Sequence, residues 1–107
     1  MVELPSFQII RATATDDNPF RVANIEKWFS YADIFVTTFD AYFGGITDQN
    51  VVIYANDIYE IPFPIDISQL FFKNYTAGNN TVITIVGLEM SDKQLDTLFK
   101  GGIVAVY

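Results

Sequence analysis

Turn-forming clusters interrupt this chain repeatedly, and the β-rich segments that it contains run about 5–10 residues. Such clusters stand at residues 16–19, 44–50, 56–57 and 76–80. Asp and Asn favour turns because their side chains bond nearby backbone, and Gly tolerates positive φ. Segments of this length and spacing are typical of an all-β sandwich or barrel. We therefore predict a single domain over residues 1–107, an antiparallel β-sandwich of jelly-roll type with one short C-terminal helix.

The β-rich segments differ in the position that they should take in a sheet. Residues 31–43 carry apolar groups on both faces, which indicates a central strand or a face covered by a partner. Asp40 lies within this segment and is expected to mark a bulge or break. Pro62 and Pro64 lack a backbone N–H, so they predict an edge or an extended connection. Residues 65–88 are predicted to form a hairpin around the turn at 76–80.

Two Gly-Gly pairs, at 44–45 and 101–102, lie outside any phosphate-binding pattern. We expect the first pair to make a turn with positive φ. The second pair follows the segment 91–100, which breaks the β pattern. There Ser91 and Gln94 have capping-box spacing, and Leu95, Leu98 and Phe99 form an i, i+3, i+4 stripe. With Asp92 in the first turn, Lys100 in the last and Gly101 as the C′ residue, this segment predicts a short helix.

Charge limits the classes of partner. The chain has 6 Lys and Arg against 13 Asp and Glu, for a net charge of −7. The cations stand singly, whereas a nucleic-acid surface needs them clustered, and the negative charge also disfavours anionic lipid. No stretch is long and apolar enough to span a membrane, and the N-terminus lacks the features of a signal peptide. We therefore expect neither nucleic acid nor membrane as a partner.

Aromatic residues are abundant, at 16% of a chain that is 50% hydrophobic. A core of this size has little room for so many rings, and large exposed apolar patches usually mark interfaces. We predict that the chain associates with itself through a set of apolar residues. The predicted interface residues are Trp28, Phe29, Tyr31, Tyr42, Phe43, Phe63, Ile103, Val104, Val106 and Tyr107. The five-residue terminus 103–107 would add to the edge of a neighbour's sheet.

Residues suited to catalysis are scarce. The sequence has no Cys and no His, and its Ser and Thr residues have no S-x-x-K pattern to activate them. Asp57, Glu60 and Asp66 lie close in sequence and could bind a cation, but no D-x-D-x-D-G loop supports this. Solvated turn carboxylates explain them more simply. We predict that the protein is not an enzyme and uses no cofactor.

Two segments resemble small β-sandwich proteins of the virions of tailed phages and related viruses. The stretch "IDISQLFFKNYTAGNNTVITIVG" (65–87) is similar to their closing hairpin, which follows a Pro-containing segment. The stretch "DAYFGG" (40–45) is similar to the aromatic and Gly-rich strand end that precedes it. The capped helix at 91–100 departs from the usual end of these proteins. The resemblance implies a minor capsid, decoration or tail-associated protein in the virion, which binds itself and other virion proteins.

Two alternatives remain open. A carbohydrate-binding β-sandwich would use surface aromatics as a platform, with Ca²⁺ as a further ligand. The residues available for such a platform are Tyr31, Phe35, Phe39, Tyr42, Phe43, Tyr54 and Tyr59. A third reading is an enzyme subunit whose catalytic groups come from another chain.

Overall fold

A computed structural model describes residues 6–100. It contains two antiparallel sheets, a 3-10 turn and one α-helix. In chain order the elements are β1 (Ser6–Thr13), β2 (Trp28–Val36), β3 (Ala41–Gly44), β4 (Val51–Ile53), β5 (Ile58–Ile61), β6 (Ile65–Asp66), the 3-10 turn Ile67–Gln69, β7 (Phe71–Asn74), β8 (Val82–Glu89) and α1 (Asp92–Lys100).

The strands wind between the two sheets as in a jelly roll. The larger sheet has the order β1-β8-β2-β5, with β6 also paired to β2. The smaller sheet has the order β4-β3-β7, and Phe20 extends it through an antiparallel bridge to Phe72. Phe20, which lies between β1 and β2 in the chain, thus takes the place of a further strand beside β7 in the smaller sheet. The winding of two sheets with Greek-key crossovers is that of a jelly roll, which confirms the predicted fold class.

The core lies between the two sheets and is built from their inward-facing residues. Strands alternate inward and outward positions, so every second residue of a strand enters this layer. Its buried members are Phe29, Ala32, Ile34, Val36, Ala41, Phe43, Ile53, Ile61, Ile67, Leu70, Phe72, Ile83 and Ile85. Both sheets therefore bury one face on a shared interior.

The long segment 31–43 divides into two strands that belong to different sheets. β2 is a central strand, as predicted, with β8 on one side and β5 and β6 on the other. Asp40 marks the break: its Oδ1 accepts a hydrogen bond of 2.7 Å from the backbone N of Ala55. The carboxylate thus ties the crossover from β2 to β3 to the neighbouring loop.

The Pro-containing segment lies on an edge, as predicted. β5 and β6 pair with consecutive parts of β2, so together they form one edge of the larger sheet. Residues 62–64 interrupt this edge between the two strands. Because neither Pro62 nor Pro64 can donate a ladder hydrogen bond, the interruption falls where pairing would fail.

The predicted hairpin over 65–88 is wrong, because β7 and β8 lie in different sheets. β7 pairs with β3, whereas β8 pairs with β1 and β2. The turn between them does form, with Gly78 at a φ of 81° and Asn79 N donating to Thr76 O at 3.0 Å. A local turn signal does not reveal whether the chain returns to the same sheet, and here it crosses over.

A second departure concerns the residues that precede β7. Residues 67–69 form a 3-10 turn rather than part of a strand. Asp66 caps this turn, since its Oδ1 accepts hydrogen bonds from Ser68 N and from Lys27 N, each at 3.0 Å. One carboxylate therefore both bends the chain and anchors it to the segment before β2.

The predicted positive φ at the pair 44–45 is not observed. A Cβ on Gly44 would instead clash with the backbone carbonyl of Asp48. Gly44 is therefore suited to a close approach of two backbone segments rather than to a left-handed turn.

Helix α1 begins as the sequence predicts. Gln94 N donates to Ser91 Oγ at 3.1 Å, and Ser91 N donates to Gln94 Oε1 at 2.8 Å, which completes the capping box. Lys100 forms an ion pair with Asp96 at 3.0 Å. The predicted C′ residue Gly101 and the apolar terminus 103–107 lie outside the described residues. Among residues 6–100, no helix has the length and apolar character needed to cross a membrane.

Candidate functional site

The outward side of the larger sheet exposes large apolar side chains. We call the outward-pointing residues of the larger sheet the outer face. They are Phe7, Ile9 and Arg11 of β1, Thr84, Val86 and Leu88 of β8, Asp33 and Phe35 of β2, and Ile58 and Glu60 of β5. The strand register places them in rows across the sheet. One row contains Phe7 and Leu88, the next runs from Ile9 to Glu60, and the third runs from Arg11 to Ile58.

Three apolar side chains at the two edges of the outer face are largely open to solvent. Phe7 is 60% exposed, Ile9 is 63% exposed and Ile58 is 54% exposed. Between them Phe35, Val86 and Leu88 are half-buried. The outward side of a sandwich is ordinarily polar, so apolar side chains in all three of these rows indicate a contact surface.

The charges of the outer face are separated across its width. Asp33 and Glu60 stand directly opposite each other on β2 and β5. Arg11 stands on β1, at the opposite edge of the sheet, where its Nε donates to Thr84 Oγ1 at 3.2 Å. Like charges directly across an antiparallel pair are unfavourable, so the acidic half of the face would be stabilised by a cation from outside.

Two predicted interface residues lie in the core instead. Phe29 and Phe43 are both buried between the sheets, so their assignment to an interface is wrong. Phe29 points inward from β2, and Phe43 stacks on Phe72 with ring centroids 5.9 Å apart. Aromatic composition alone could not separate these rings from exposed ones, because burial depends on which of the alternating positions of a strand face the core.

Other predicted interface residues do reach the surface. Phe63 is 52% exposed at the interrupted edge of the larger sheet. Trp28 packs edge-on against Phe99 of α1, with centroids 5.3 Å apart, and donates from Nε1 to Glu26 at 2.7 Å. Tyr31 is half-buried at the β-bulge where β2 shifts register against β8. Ile103, Val104, Val106 and Tyr107 lie outside the described residues.

The smaller sheet presents a separate aromatic pair on its outward side. Tyr42 and Tyr75 have ring centroids 4.9 Å apart at an interplanar angle of 36°. The Nζ of Lys73 lies 5.4 Å from the centre of the Tyr42 ring. These contacts already use part of each ring face, but Tyr75 remains exposed.

The carboxylates considered for cation binding serve different purposes. Asp66 is occupied as the cap of the 3-10 turn, while Asp57 and Glu60 are exposed. Within residues 6–100, no three Asp, Glu, His or Cys side chains are grouped so as to hold a metal ion. An open groove of about 440 Å³ lies between β1 and the segment before β2, and its lining includes Ile10, Val22 and Lys27.

Sequence reasoning missed the residues that make the outer face. The signal was present in β1, where Phe7 and Ile9 alternate with Gln8 while Ile10 and Ala12 alternate with Arg11. Because successive residues of a strand point to opposite faces, this pattern puts apolar side chains on both faces of β1. Comparisons with protein-family models, with curated proteins and with solved structures found no match.

Proposed function

We propose that this chain is a structural subunit of a virus particle, such as a minor capsid, decoration or tail-associated protein. It acts through contact rather than catalysis and resides in the virion with other virion proteins. The observation that carries the proposal is the apolar outer face on a jelly-roll domain. Jelly rolls are common among capsid proteins, but lectins and cupins share the fold, so this support is an analogy.

The character of the surface favours an assembly role over a small-molecule site. Ligand sites are concave and contain a few convergent polar groups. The outer face is a sheet surface whose exposed members are Phe7, Ile9 and Ile58. A broad apolar surface of this kind gains most when another protein surface covers it.

Mass spectrometry of purified particles tests the proposal directly. Particles from the source organism are separated by density-gradient sedimentation, and peptides of this chain are quantified across the gradient. We expect the peptides to sediment with particles in constant ratio to the other particle proteins. Peptides found only in the unassembled fractions would overturn the assignment to the virion.

The Tyr42–Tyr75 pair supports a second candidate function, carbohydrate binding. Sugars stack on exposed rings, and here two rings lie side by side on the outward side of the smaller sheet. A glycan array would show whether the chain binds sugars, with Tyr75→Ala as the variant and Phe63→Ala as an exposed aromatic control at the edge of the larger sheet. Binding that Tyr75→Ala abolishes and Phe63→Ala preserves would favour this candidate over assembly.

A further inference from the structure

We infer that the outer face binds the outer face of a second copy of this chain, through a two-fold axis lying in the plane of the contact. The inference rests on the proposed contact function and names the partner of that surface. A two-fold contact uses the same patch on both subunits, so the patch must complement itself.

The charges of the outer face have this self-complementary arrangement. Arg11 lies on β1, whereas Asp33 and Glu60 lie on β2 and β5, in the other half of the same sheet. An axis parallel to the strands and passing between β8 and β2 places β1 of each copy over β5 of the other. The guanidinium of one copy then faces the acidic half of its partner, and the same pairing occurs twice.

The distances along the strand allow this pairing. Arg11 shares its row with Ile58, which lies two residues from Glu60 on β5. Two residues of a strand span about 7 Å, a distance that Arg and Glu side chains bridge when they lean toward each other. A charge-assisted bond between them would compensate the like-charge pairing of Asp33 with Glu60.

Within the described chain, the acidic pair of the outer face has no cation of its own. The ion pairs among residues 6–100 join Lys27 to Glu89 and Lys100 to Asp96, and none of these residues belongs to the outer face. Arg11 bonds to the hydroxyl of Thr84 and leaves guanidinium donors for another partner. The separated charges thus provide both an acceptor and a donor for a second copy.

The size of the outer face predicts a weak dimer. Four strands are about 19 Å wide, and the three rows add roughly 20 Å of length with their side chains, so the footprint is about 400 Å² per copy. The two copies together bury about 800 Å², less than the roughly 1,200 Å² of stable interfaces, which places the contact among weak and transient ones. Dimerisation should therefore depend on protein concentration, and it should weaken with added salt because part of the contact is ionic.

Sedimentation velocity of the full chain over a wide concentration range tests the inference. We expect a monomer–dimer equilibrium that Ile9→Glu weakens by at least about tenfold, since Ile9 shares its row with Glu60 and the axis sets the new carboxylate over that residue of the second copy, where two like charges are buried together. Ile25→Glu is the matched control: Ile25 is 82% exposed but lies in the segment before β2, away from the outer face. This control should leave the equilibrium unchanged.

A charge exchange tests the register of the contact. Arg11→Glu alone should weaken the dimer, because like charges then meet across the axis. Adding Glu60→Arg to the same chain should restore it, since each copy again offers one cation and one carboxylate. Circular dichroism checks the fold of every variant, and the exchange remains informative if Ile9→Glu fails to fold.

The outcomes separate this inference from the proposed function. A wild-type chain that stays monomeric at all concentrations, or a dimer unaffected by both Ile9→Glu and Arg11→Glu, overturns the second copy as partner. If such a monomer still sediments with particles, the outer face binds another virion protein. If the chain forms a dimer with this register but is absent from particles, the inference of a second copy stands and the assignment to the virion is wrong.

Discussion

The ring of Phe29 lies over the backbone of Gly87, which pairs with Ala32 of the same strand, β2. A Cβ on Gly87 would lie 2.5 Å from Phe29 Cδ2 and would also clash with the carbonyl oxygen of Tyr31. Because the ring is buried and the strand is central, neither neighbour can move away easily. The absence of a side chain at one position thus makes room for the largest group in this part of the core.

Gly87→Ala should destabilise the domain by about 1–3 kcal/mol, the usual cost of overpacking a core. Chemical denaturation followed by circular dichroism measures the change in the free energy of unfolding. Gly45→Ala is the matched control, because a Cβ at Gly45 meets nothing within 4 Å. Equal stability of the two variants would show that Phe29 does not occupy the space above Gly87.

Phe29 and Phe63 should respond very differently to truncation. Phe29→Ala leaves a cavity in the core, which typically costs about 3–5 kcal/mol. Phe63 is half exposed at the sheet edge, so Phe63→Ala should change the free energy of unfolding by no more than about 0.5 kcal/mol. Urea unfolding curves give the change in the free energy of unfolding for each variant. A small change for Phe29→Ala would contradict the burial of Phe29 in the core.

The loops at one end of the sandwich should give a pH-dependent contribution to stability through Asp17. Hydrogen bonds from the Asn74 side chain, and then from Gly78 N, lower the pKa of Asp17 below its ordinary value of 3.8. Folding therefore favours the ionised carboxylate. Its stabilisation is fully present well above pH 3.8 and is lost as the pH falls below that value through the lower pKa of the folded chain.

Asp17→Asn should therefore be less stable than the wild type at neutral pH, and the difference should shrink as the pH falls below about 4. Thermal unfolding at a series of pH values measures this. In an Asn74→Ala background the effect of Asp17→Asn should be reduced, since Asn74 Nδ2 donates to Asp17 Oδ1 at 2.8 Å. A constant difference at all pH values would contradict the assigned cause.

The fluorescence of Trp28, the single Trp of the chain, should depend on whether helix α1 packs against it. Phe99→Ala removes the edge-on contact with Trp28, so we expect the fluorescence emission of Trp28 to shift to the red. Ser91→Ala removes half of the capping box, costs about 1 kcal/mol of helix stability and should shift the emission in the same direction. Phe39→Ala, which truncates an exposed ring beyond the opposite end of β2, should leave the emission unchanged.

Local signals were sufficient for several features of this fold. Residues within a few positions of each other define the capping box of Ser91 and Gln94, the left-handed Gly78 and the break at Asp40. The lack of N–H groups at Pro62 and Pro64 likewise places an edge without knowledge of the partner strand. The overall class followed because repeated turn signals and short β-rich segments are typical of a sandwich or barrel.

The assignment of strands to sheets did not follow from local signals. The turn around Gly78 is compatible with both a hairpin and a crossover, and only the pairing of β7 with β3 and of β8 with β1 and β2 distinguishes them. The identity of the interface depended on the same information. Phe29 and Phe43 enter the core because of the direction in which their strands face, which pairing across the sheet decides.

The sequence by itself determined that this chain makes a β domain with a capped helix, a net negative charge and a composition that is half hydrophobic. Tertiary structure alone decided that Phe7, Ile9 and Ile58 share one exposed face and that Arg11 stands across it from Glu60. The reason is that a strand specifies only the alternation of its side chains, whereas its neighbours in the sheet decide which residues meet and which side is covered.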